Sequence, residues 1–216
     1  MIFARALLGQ ELILVGTIAL AIGLVITYLR WRGQLDLLRR AWPAALLWAI
    51  FGTLDALVTI VGTWGAPWRE ANPTLRAMLT WDGWVGQLIY TFVWVLFWAA
   101  IVIGLEELRR RLGGVWAYPL GAVQLLILYA LALGHLYGYL SWTPYIHAPL
   151  LVFLYERAPW LFDGSPLGVF SNLSLILGAV LTALQLAIAA PLHSRRGRTP
   201  IASPALAPRP RQITKR

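Results

Sequence analysis

The sequence predicts an all-α fold: a polytopic membrane helix bundle of five transmembrane helices plus one short interfacial or re-entrant segment. Three observations carry that prediction. Of the 216 residues 59% are hydrophobic and only 12% charged, with a mean hydropathy of +0.68, whereas charged residues make up roughly a quarter of a soluble domain. Five apolar runs approach or exceed the roughly 20 residues that a helix needs to cross a bilayer core about 30 Å thick. Basic residues, finally, alternate with those runs. The same composition excludes disorder and coiled coils, which need more charge, and the absence of cysteine excludes a disulfide scaffold and thiolate metal chemistry.

The first span covers residues 12–29, with no charge between Glu11 and Arg30. The second, 41–64, carries Asp55 inside it. The third, 84–105, is interrupted only by Gln87, and the fourth, 115–140, holds His135 near its far end. The fifth, 167–192, contains Asn172, Ser174 and Gln185, and Pro191 is expected to end it. Between the last two, residues 145–162 hold a shorter apolar run, His147 to Tyr155, bounded by Pro144, Glu156, Arg157 and Pro159. That length suits an interfacial or re-entrant segment. Residues 1–193 thus form one membrane domain, and residues 194–216 a disordered tail with seven basic residues, four prolines and no acid. Such a tail is expected to lie on anionic lipids of the inner leaflet, where each basic residue contributes about 1 kcal/mol.

Orientation follows from the arginines. Arg30, Arg32, Arg39 and Arg40 lie in the first connection, Arg109, Arg110 and Arg111 in the third, and the tail holds seven more basic residues. The positive-inside rule then puts the N-terminus outside and the C-terminus in the cytoplasm, with the plasma (inner) membrane as the site. The first span reads as a reverse anchor, since four arginines follow it and no A-x-A cleavage site closes it. The net charge of +9 is thereby explained without a nucleic-acid partner. The bilayer and other membrane proteins are the expected partners.

A carboxylate inside a span costs at least about 2.5–3.5 kcal/mol on insertion scales, so Asp55 needs a partner. Helical spacing puts Phe51, Gly52, Asp55, Thr59 and Gly62 on one stripe. Small residues there let a second helix come close, and Thr59 is placed to donate a hydrogen bond to Asp55. The stripe is either an interhelical clasp or a working site. Beyond the span, Asn72 is a good N-cap and Pro73 a good first residue for a short outer helix. Glu70 and Asp82 bracket that helix, and Trp64, Trp68, Trp81 and Trp84 cluster as an outer aromatic belt does. Glu70 either pairs with Arg69 or Arg76 or turns back towards Asp55.

Asp55-x-x-x-Thr59, a glycine-containing turn and then Glu70-x-Asn72-Pro73 resemble the signature of an uncharacterised family of small prokaryotic integral membrane proteins, a domain of unknown function. The resemblance covers the second span, its outer loop and the third span. The connection before Glu70-x-Asn72-Pro73 is longer here than the family pattern, by the stretch 64–69. The resemblance implies a fold and the location of a site, and no activity.

The candidate catalytic residues are Asp55, Glu70 and His135, and the candidate ligand-binding set is Asp55, Thr59, Glu70 and Asn72. Such oxygen donors suit a lipid amine or a hard cation better than zinc, although no metal-loop spacing is present and no metal site is predicted. His135, inside Gly134-His135-Leu136-Tyr137-Gly138, and His147 offer a haem or chlorin site or a proton relay; lone histidines near an interface are more often simply hydrogen-bonded. The cofactor is left open. The sequence contains no G-x-S-x-G, H-E-x-x-H or Walker loop, so hydrolase and NTPase chemistry have no support. Tyr90, Trp94 and Trp98 read as packing, and Glu106, Glu107 and Arg109 to Arg111 as a solvated cytoplasmic helix end. The function expected first is that of a non-catalytic accessory or scaffolding subunit of a membrane assembly. The alternative is a membrane-embedded enzyme or binding protein for a lipid-like substrate, using Asp55 and Glu70.

Overall fold

In hydrocarbon there is no water to bond the backbone, so each span must satisfy its own N–H and C=O groups, and a helix does so within one segment. The computed structural model, which describes residues 2–63, 66–70, 72–142, 156–161 and 171–196, is accordingly helical, with no strand among those residues. Its long helices are α1 (Ile2–Trp31), α2 (Leu35–Gly62), α3 (Pro73–Leu112), α4 (Ala117–Trp142) and α5 (Asn172–Arg196). Short 3-10 turns lie at Pro67–Arg69, Gly114–Trp116 and Pro159–Leu161. Four helices, α1 to α4, are long and apolar enough to cross a membrane; the described apolar part of α5, Asn172–Ile188, is shorter.

The helices overrun the apolar spans, because helical hydrogen bonding continues where the hydrocarbon ends. α2 begins at Leu35 rather than 41, and its first turns carry Asp36, Arg39 and Arg40. α5 runs through Pro191 to Arg196, so Pro191 does not end it as expected: one missing donor is outlasted by the helical turns on both sides. The segment 145–155, with His147, and the tail from 197 lie outside the described residues.

α3 is two helices joined by an elbow. Asn72 caps the first, its Oδ1 accepting from the Thr74 and Leu75 N–H groups at 3.0 and 3.2 Å, with Pro73 following. The helix breaks at Asp82 and Gly83, where Gly83 adopts φ +55°. This left-handed turn folds the first part of α3 back so tightly that a Cβ on Gly86 would overlap the Met78 carbonyl, which only glycine permits.

Packing centres on α2 and α4, which form the most extensive helix–helix contact, followed by α4 and α5. Leu37, Ala41 and Ala44 of α2 meet Leu125, Leu128 and Tyr129 of α4 in one buried cluster. α1 adds Leu14 and Ile18 against Ala56 and Ile60. Where α5 crosses α4, a Cβ on Gly178 would stand 3.1 Å from the Ala130 nitrogen. Small residues of this kind let helix backbones approach where lipid supplies no hydrophobic drive to associate. Large apolar side chains such as Leu12, Leu20, Val93, Phe97 and Ile188 point outward and are exposed, an outer surface suited to an apolar solvent.

Candidate functional site

Asp55 of α2 and His135 of α4 meet across the contact between those helices. His135 Nδ1 lies 2.8 Å from Asp55 Oδ2, with the two side chains 24% and 21% exposed. Two glycines make room. Gly52, one turn before Asp55, faces the His135 ring, which a Cβ there would meet at 3.6 Å, and Gly138 packs directly on the Asp55 carboxylate. An ionised Asp55 only accepts, so it requires the proton on His135 Nδ1, which fixes the tautomer of a neutral ring. The pair gives Asp55 a hydrogen-bond partner inside an apolar helix, which offsets part of the cost of placing a polar side chain there.

A second polar group forms at the elbow of α3. Glu70 is buried, 8% exposed, and one of its carboxylate oxygens accepts from the Asn72 N–H at 2.8 Å. The Asn72 side chain is used twice: its oxygen caps α3, and its Nδ2 donates to the Tyr90 hydroxyl at 2.9 Å. Tyr90 also stacks on Trp94, centroids 5.7 Å apart, and Trp94 meets Trp98 edge-on at 5.7 Å, with Trp98 buried. The aromatic stripe of α3 is therefore packing that ends in one hydroxyl among the polar residues.

The predicted site residues thus fall into two groups, Asp55 with His135 and Glu70 with Asn72. Thr59 plays a different part from the one expected. It is buried, and its carbonyl accepts from the Thr63 hydroxyl at 2.6 Å, while the described partner of Asp55 is His135. Glu70 turns inward to its own helix entry. Neither of two cavities, about 760 and 340 Å³ in volume, is lined by Asp55, His135 or Glu70. No group of three or more His, Asp or Glu residues placed to hold a metal occurs among the described residues.

The opposite end holds a cluster that sequence reasoning missed. Glu106, expected at a solvated helix end, is 0% exposed. Arg109 grips it with two nitrogens at 2.9 and 2.7 Å, and Arg40 of α2 donates to it at 2.7 Å. Arg40 also donates to Gln124 of α4 at 2.6 Å, and Gln124 reaches the Val102 carbonyl at 2.9 Å. Gln185 of α5 completes the network, donating to the Arg40 carbonyl at 2.8 Å and accepting from the Tyr129 hydroxyl at 2.7 Å. Four helices are tied by one carboxylate and its satellites. The available signal was an acid followed by arginines three and four residues on, beside a helix that opens with Arg39 and Arg40.

Compared with family models, curated proteins and solved structures, the chain matches none.

Proposed function

We propose that this chain is a five-span plasma-membrane protein that serves as a non-catalytic accessory or scaffolding subunit of a membrane assembly. In this reading the fifth crossing is α5, the N-terminus is outside and the C-terminus is cytoplasmic. The orientation is supported by the gathering of Arg40, Arg109 and Arg110 around Glu106, at the bundle end where Arg110 also reaches the Gly33 carbonyl of the α1–α2 turn at 3.4 Å. The resemblance of Asp55-x-x-x-Thr59 and Glu70-x-Asn72-Pro73 to an uncharacterised prokaryotic membrane family belongs to the same proposal.

One observation carries the scaffolding role: the Asp55 carboxylate is held between His135 and the backbone of Gly138, as a helix clasp requires. A carboxylate so engaged stabilises the α2–α4 contact. The experiment is purification from native membrane in mild detergent with mass spectrometry of whatever accompanies the chain. Stoichiometric protein partners support the scaffold, and a chain that purifies alone overturns it.

A second reading is favoured by the link from Glu70 through Asn72 to Tyr90. Here the chain is a membrane-embedded enzyme or binding protein for a lipid-like substrate, with Asp55 and His135 exchanging a proton and Glu70 and Asn72 holding a polar headgroup. Asp55→Asn separates the two: it leaves a clasp working and disables proton transfer.

A further inference from the structure

An apolar groove of about 760 Å³ runs between α1 and α3 at the arginine-rich end of the bundle, a size within the roughly 300–1,000 Å³ of small-ligand sites. Leu24, Val25, Leu96 and Ile103 wall it. Gly104 widens it, since a Cβ at that position would meet nothing within 4 Å. Its polar end is formed by Arg32 and Gln34.

Three features of that end specify an occupant. Gln34 is 2% exposed, and its buried side-chain oxygen has no hydrogen-bond partner; an acceptor withdrawn from water calls for a donor. Arg32 is exposed, its guanidinium 5.9 Å from the centre of the Trp31 ring, and has no carboxylate within ion-pair distance among the described residues. The acid on the groove wall, Glu107, is engaged by Arg111 at 3.1 Å, and Arg110 approaches the neighbouring turn at Gly33. The mouth therefore offers a free cation and an unmet acceptor above an apolar trough.

We propose that this groove binds one acyl chain of an anionic phospholipid, with the phosphate on Arg32 and a headgroup hydroxyl donating to Gln34. Phosphatidylglycerol carries all three groups: an acyl chain, a phosphate and a hydroxyl donor. Phosphatidylcholine has the chain and the phosphate but no headgroup donor and no net charge. The preference is therefore for the anionic lipid, which the proposed orientation places in the cytoplasmic leaflet, although binding in detergent does not depend on that orientation.

The test is native mass spectrometry of the full chain in mild detergent with phosphatidylglycerol or phosphatidylcholine added. One phosphatidylglycerol per chain is expected, retained roughly fivefold better than phosphatidylcholine, the difference one cationic contact supports. Arg32→Gln should reduce phosphatidylglycerol to the phosphatidylcholine level. Gly104→Leu, which fills the trough from an exposed helix position, should reduce both. Equal retention of the two lipids, retention unchanged by either variant, or a lipid-free dimer in place of the lipid-bound chain overturns the proposal. Should Gly104→Leu fail to fold, Arg32→Gln decides alone.

Discussion

A methyl group on Gly138 of α4 would stand 2.6 Å from Oδ1 of Asp55 on α2. The backbone of one helix thus serves as a wall for the carboxylate of the other. Gly138→Ala is therefore expected to separate α2 from α4 and cost about 1–3 kcal/mol, as overpacking does, despite the higher helix propensity of alanine. Gly134, where an added Cβ would meet nothing within 4 Å, is the control: Gly134→Ala should be neutral or slightly stabilising. Thermal unfolding of both variants in detergent checks the pair, and equal melting temperatures would refute the close approach.

Asp55→Asn keeps an acceptor oxygen for His135 Nδ1, so its stability should change by less than about 1 kcal/mol. His135→Leu removes the described partner of Asp55 and should cost about 1–3 kcal/mol, the penalty of an unsatisfied polar group. A double-mutant cycle with Asp55→Leu and His135→Leu should return a coupling energy of about 1 kcal/mol or more. Additive losses would mean that the two side chains do not stabilise each other.

Glu106→Ala leaves Arg40 and Arg109 without the carboxylate they share, and should cost about 3–5 kcal/mol, as breaking a buried ion pair does. Because Glu106 is fully buried, the loss should vary little with ionic strength. Denaturation in low and high salt measures this. A loss that vanishes in high salt would return Glu106 to the solvated helix end first expected.

Gly86→Ala should disrupt the elbow, because its methyl would overlap the Met78 carbonyl. A backbone carbonyl cannot yield as a side chain can, so the cost should exceed the roughly 1–3 kcal/mol of ordinary overpacking, and poor folding is the expected outcome. Gly104→Ala, with open space around it, should fold normally. Yield of monodisperse protein distinguishes the two.

The chain has no cysteine, so single cysteines report orientation directly. Thr74→Cys, exposed in the first turn of α3, should react with a membrane-impermeant maleimide in intact cells under the proposed topology. Asp36→Cys, exposed in the first turn of α2, should react only after permeabilisation. The reverse pattern would invert the proposed topology.

The helices of this protein are legible in the order of its residues. Long apolar runs specify helices long and apolar enough to cross a membrane, because a helix satisfies its own backbone hydrogen bonds within one segment. Local chemistry is equally readable: Asn72 and Pro73 announce a helix start, because capping depends on neighbours three residues away. Asp55 is recognisable as a residue in need of a partner, since its cost is set by the span that holds it. Its partner is not, because His135 lies 80 positions away and is selected by which face of α4 meets α2. Glu106 looks solvated for the same reason: charge density along the chain is visible in sequence, whereas the approach of Arg40 and Gln124 from two other helices is a property of packing. Which polar groups share a site is settled by the fold, because hydrogen bonds reach about 3 Å and only the crossing of helices brings distant residues that close.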